Sequence, residues 1–144
     1  MMPHSRKVAG LAMLLLSGLW LTATGQDNGE VILQGIYTAD QALRGRELYL
    51  ANCSSCHSTD LRGNSNAPSL VGLSFTFIWE GRSVGEFFTT IRELMPTDRP
   101  ASLPVSSYSD ILAFILSSNG YPAGNAELSA DVDYLSGVTI TAPP

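Results

Sequence analysis

Cys53-Ser54-Ser55-Cys56-His57 sets two thiols three positions apart and follows the second at once with an imidazole. Thiols spaced this way share one turn of backbone, so both can bond neighbouring groups of a single rigid ligand. The vinyl groups on adjacent pyrrole rings of a haem meet that requirement, and the next side chain then faces the iron. The pattern therefore reads as the attachment site of one c-type haem, covalent through Cys53 and Cys56, with His57 as the proximal ligand. It constrains the fold more than any other feature, because a porphyrin would supply much of the core.

Two other readings of a Cys-x-x-Cys pair lack the partners they need. A thioredoxin-type couple wants a βαβ context, which is not visible. A structural zinc site wants four ligands. Beyond the N-terminal segment the chain holds two Cys and one His.

The N-terminus reads as a secretory signal. His4, Arg6 and Lys7 form a basic start, and Val8 to Leu21 is a charge-free, mostly apolar run. Ala23-Thr24-Gly25 offers small residues for cleavage, which assigns residues 1–25 to a signal peptide. The run is shorter than the ~20 apolar residues of a spanning helix, so an uncleaved anchor is the weaker reading. Export implies a periplasmic location with no stable membrane insertion after cleavage. The remaining 119 residues suffice for one small domain. They carry 6 Arg against 13 Asp and Glu, a net charge of −7, and no Lys. Such a balance argues against nucleic acid or an anionic membrane as partner.

Residues 26–37 read as an extended leader. Thr38 with Gln41 has capping-box spacing and opens a helix running to about Asn52. Ser58 to Arg82 reads as a long loop, explicable by wrapping a haem. Ser83 and Glu86 form a second capping box. Val84, Phe87, Phe88 and Ile91 follow the i, i+3, i+4, i+7 stripe of an amphipathic helix that Pro96 ends. Ser107 and Asp110 are expected to cap a third helix to about Ser118, apolar nearly all round and hence mostly buried. Asn119-Gly120 stops it. Residues 121–144 read as an extended tail, with Leu128, Leu135, Val138 and Ile140 available to pin it.

An iron held by His57 has a second axial position, filled in proteins by His or Met, occasionally by another donor, or left open. Outside the signal there is no other His, no Lys and no spare Cys, and Met95 is the one Met. Elimination therefore points to Met95, with an open sixth site as the alternative.

The Cys53–His57 motif, Ala67-Pro68-Ser69-Leu70-Val71-Gly72, then Met95-Pro96 and a closing apolar helix resemble monohaem class I cytochrome c over residues 38–120. The stretches after Met95, around Tyr108 to Leu116 and at Asn119 to Gly124 are most similar to small bacterial cytochromes. Those accompany, or are fused to, periplasmic quinoprotein dehydrogenases. The resemblance implies an all-α class I cytochrome c fold, with three main helices and long loops wrapped around the haem. It implies that the Pro68 carbonyl accepts from Nδ1–H of His57, that Leu70 packs on the haem face, and that Gly45 and Tyr49 meet the last helix near Ile111 and Phe114. Trp79 and Arg82 become candidates to bind a propionate. Phe77, Phe87 and Phe88 are expected to bury the haem.

The function so implied is one-electron transfer and not catalysis. Electrons would come from a dehydrogenase and pass to another cytochrome or an oxidase. Two other classes remain at this point: a five-coordinate haem sensor, and a thiol oxidoreductase without haem.

Overall fold

The computed structural model describes residues 28–144, so the signal expected at 1–25 lies outside the described residues. Among the described residues there are seven α-helices and no strand, as a class I cytochrome c fold requires. They are α1 Asn28–Leu33, α2 Ala39–Asn52, α3 Ser54–His57, α4 Gly72–Trp79, α5 Val84–Leu94, α6 Val105–Ser118 and α7 Val132–Ser136.

Thr38 does cap α2, its hydroxyl accepting from the Gln41 N–H at 3.2 Å. The Gln41 side chain does not return the bond. It reaches instead across the fold to residue 128, accepting from the Leu128 N–H at 2.6 Å and donating to the Leu128 carbonyl at 3.3 Å. At α5 both halves of the capping box form, Ser83 with the Glu86 N–H and Glu86 with the Ser83 N–H. Val84, Phe87, Phe88 and Ile91 are all buried on the inner face.

The third long helix starts three residues earlier than expected. Pro104, not Ser107, precedes its first turn, and Asp110 turns its carboxylate to Arg44 on α2. Proline suits the start of a helix because the amide it lacks would have no partner there. Asn119 and Gly120 end α6, Gly120 in the left-handed region at φ +87°. Helices α2 and α6 cross closely at Gly45, and the Tyr49 and Phe114 rings pack at 5.3 Å.

Three segments expected to be irregular contain helix. Residues 28–33 form α1 in place of an extended leader, with Ile32 buried. The stretch expected as one loop from Ser58 to Arg82 holds α4. The segment 121–144 is not an extended tail throughout, since Asp131 caps α7 through bonds to the Asp133 and Tyr134 N–H groups. Leu128, Leu135, Val138 and Ile140 are buried. The Val84 N–H donates to the Val138 carbonyl, and Ile140 exchanges bonds with Gly81 and Arg82, each at 2.8 Å. The C-terminal segment thereby straps the turn between α4 and α5.

Candidate functional site

The motif Cys53–His57 sits where α2 ends. The Cys53 N–H closes the last turn of α2 on the Tyr49 carbonyl at 2.8 Å. The Cys53 carbonyl accepts from the His57 N–H at 2.9 Å, winding α3 as a single turn. Beyond it Ser58 adopts a positive φ of 66°, and its carbonyl accepts from the buried Tyr49 hydroxyl at 2.6 Å. The chain then doubles back so that the His57 ring meets the segment at residue 68.

His57 is buried, and its Nδ1 lies 2.9 Å from the Pro68 carbonyl oxygen. A carbonyl only accepts, so Nδ1 is the donor of this bond and Nε2, on the other edge of the ring, is the nitrogen left for a metal. The bond fixes the ring's orientation from behind.

Both thiols are free; Cys53 is half-buried and Cys56 exposed. Burial pushes the Cys53 thiol up to about 11, the Arg99 charge opposing and Cys56 adding. A raised pKa at Cys53 is the opposite of the lowered one that activates a thiol nucleophile.

A cavity of about 740 Å³ opens beside the motif. Cys53, Cys56, His57, Pro68, Leu70, Trp79 and Met95 all line it. So do Ile78, Phe87, Ile91, Ile111 and Ile115, which make its walls apolar. Met95 caps the C-terminus of α5 and is half-buried; its sulfur accepts from the Thr97 hydroxyl at 3.5 Å. Met95 and His57 thus reach one apolar space from chain segments 38 residues apart.

Arg82 does not line the cavity. Its guanidinium lies 4.4 Å over the Trp79 ring, on which Phe87 also packs, and it pairs with Glu86 at 3.5 Å. Phe88 is in the core away from the cavity, and Phe77, expected to shield the haem, is 92% exposed on α4. Tyr108 and Arg99 line the cavity as well, and sequence reasoning missed both. Tyr108 bonds to Met95 and Leu103, 13 and 5 residues away, and Arg99 to Asn52, 47 residues away, spacings that match no helix or capping period.

The described residues are helical and bring a Cys-x-x-Cys-His motif, a fixed imidazole and a thioether to one apolar cavity, on the fold of a class I cytochrome c. The chain belongs to that family: the model described as cytochrome C oxidase, cbb3-type, subunit III matches residues 40–115, more than half of it. Among solved structures, the sulfane dehydrogenase SoxCD from Paracoccus pantotrophus is similar, with a TM-score of 0.53 and 24% identity. The likeness covers 78% of this chain and 58% of that one, and at this identity it shows the fold. No curated protein matches the chain.

The family implies haem c binding, and the residues fit such a group. The cavity falls within the 300–1,000 Å³ range of ligand pockets and is mainly apolar, as a macrocycle requires. Its wall carries two thiols outside any disulfide and an imidazole whose Nδ1 is engaged by the Pro68 carbonyl. No helix among the described residues is long and apolar enough to cross a membrane.

Proposed function

We propose that this protein is a periplasmic electron carrier. One haem c would be held by Cys53 and Cys56 through thioethers, and His57 and Met95 are the residues that would hold its iron. The observation that carries this reading is the convergence on one apolar cavity of the sole imidazole and the sole thioether of residues 28–144.

The bound group supplies reversible one-electron chemistry at iron, and His/Met ligation favours the reduced state relative to two imidazoles. The chain's own residues do the rest. Pro68 fixes the His57 ring and raises the basicity of Nε2. Leu70, Ile91, Ile111 and Ile115 exclude water, which also disfavours the more highly charged oxidised state. Trp79 closes one wall, held between Phe87 and Arg82, and its indole N–H is a donor for a propionate. Arg82, outside the cavity and paired with Glu86, supports the Trp79 ring from behind.

The donor we propose is a periplasmic dehydrogenase, of quinoprotein type on the sequence resemblance, and the acceptor another cytochrome or an oxidase. The similar solved structure is that of a dehydrogenase, which agrees with such a donor.

The test is the optical spectrum of protein made with export and haem maturation, ferric and ferrous, with and without CO. Expected are a low-spin spectrum, the weak far-red sulfur-to-iron band and no response to CO. Met95→Ala should lower the midpoint potential and admit exogenous ligands. A high-spin spectrum that shifts with CO, or an unchanged midpoint in the variant, would remove Met95 from the iron and make a five-coordinate sensor the better account.

A further inference from the structure

Tyr108 stands on α6 with its side chain in the cavity wall and is only 2% exposed. Its hydroxyl donates to the Met95 carbonyl at 2.8 Å and accepts from the Leu103 N–H at 3.3 Å. One oxygen therefore closes both ends of the loop from Met95 to Leu103. The middle of that loop is tied as well. Arg99 donates to the Asn52 amide oxygen at 2.8 Å, and the Asn52 amide nitrogen is itself bonded to the Leu48 carbonyl. Asn52 is the last residue of α2 and immediately precedes Cys53.

These bonds give the loop an anchorage that α5 alone does not provide. Met95 follows the last turn of α5, where backbone bonding ends after the Met95 N–H meets the Ile91 carbonyl. Past that point nothing in the helix holds the side chain in place. The polar ties go instead to α6 and α2, the two helices locked together at Gly45. A buried hydroxyl used as both donor and acceptor is hard to replace, since its loss orphans a carbonyl and an amide at once.

We infer that Tyr108 is a positioning residue for Met95. It holds the sulfur at the cavity through the backbone of the ligand loop, with Arg99–Asn52 as a second tie from the thiol side of the site. The inference rests on the proposed ligation by Met95 and assigns the constraint on that ligand to α6.

The test is Tyr108→Phe in the full haem-loaded protein, which keeps the ring and removes the oxygen. The readouts are imidazole affinity of the ferric protein, the far-red sulfur-to-iron band, and amide hydrogen exchange at Leu103. Imidazole must displace the loop to bind, so its affinity should rise about tenfold, the order expected for losing one or two loop hydrogen bonds. The far-red band should weaken and the Leu103 amide should exchange faster. Faster exchange at Leu103 with imidazole affinity and band unchanged would make the hydroxyl merely structural and overturn the inference. If Tyr108→Phe fails to fold, Arg99→Gln serves on the exposed loop. A rise of a few-fold in imidazole affinity supports the inference, and no rise overturns it. Wild-type protein without the far-red band would instead overturn Met95 ligation itself, and this inference with it.

Discussion

Gly45 of α2 lies against the backbone of Asp110 on α6 so closely that a β-carbon would overlap the Asp110 carbonyl and meet Phe114 Cβ at 3.0 Å. On helix propensity alone Gly45→Ala should stabilise α2 by about 1 kcal/mol. The contact reverses the sign, because the obstruction is backbone and cannot rotate away. The variant should lose about 3 kcal/mol, the upper end of overpacking costs, read as a lowered denaturant midpoint. A midpoint equal to wild type would mean that the two helices slide apart freely.

Gln41 and Leu128 pair through both backbone groups of Leu128, in the buried interior and 87 residues apart in sequence. Gln41→Ala leaves a buried N–H and a buried carbonyl without partners. A cost of about 2–6 kcal/mol follows, at 1–3 kcal/mol for each orphaned group. Limited proteolysis should then cut first within residues 121–131, where this bond holds the chain to α2. Unchanged protection there would show that the burial of Leu128 suffices without the amide.

What could be read from the sequence were signals carried within a few residues. Thr38, Ser83 with Glu86, and Asn119-Gly120 mark helix ends by local capping, and the structure uses each of them. The Cys53–His57 motif is likewise local, and the Phe87-Phe88-Ile91 stripe follows helical period. Helix α4 gave no such signal. Val71 provides no side-chain cap, and Leu73 and Phe77 stand 89% and 92% exposed, so apolar residues do not mark its buried face. Helix α7 has only 5 residues, too few to show a period. Gln41 read correctly as a helix-start residue but incorrectly as to partner, because a long-range amide pair outcompetes the capping bond. Tyr108 and Arg99 were invisible for the same reason: each acts on a segment whose position only the α2–α6 crossing defines.

The capping box at α5 carries a pH dependence. The Ser83 N–H bond holds the Glu86 carboxyl below the usual carboxylate range, against an opposing desolvation and with a lesser contribution from the Arg82 charge. A lowered folded-state pKa adds stability at pH values above the unfolded value of about 4.3, and that part is lost as pH falls through the folded value. Wild type should therefore be more stable than Glu86→Gln at pH 7. The difference should fade as the pH drops below about 4.3, in thermal melts across that range. A gap that persists to the lowest pH would assign it to hydrogen-bond geometry and not to charge.

The rim of the cavity predicts how electrons are exchanged with partners. Its exposed residues include Ala51, Ser55, Asn66 and Thr97, all uncharged. The charged pair on the rim, Asp98 and Arg99, is bridged at 3.4 Å and cancels. Residues 26–144 are acidic, with 6 Arg against 13 Asp and Glu, so their net charge of −7 resides elsewhere on the surface. Charges farther than a Debye length are screened, and that length falls from about 30 Å at 0.01 M salt to about 10 Å at 0.1 M. From 0.1 M salt upward, where only charges within about 10 Å of the rim act, rates with anionic hexacyanoferrate and with a cationic cobalt complex should each change by no more than about twofold, against ten- to a thousandfold for a steered encounter. Arg99→Glu should make the rim negative, slowing the anionic probe and accelerating the cationic one at low salt. A wild-type protein that already behaved as a strong anion toward both probes would place electron exchange at an acidic face and not at this rim.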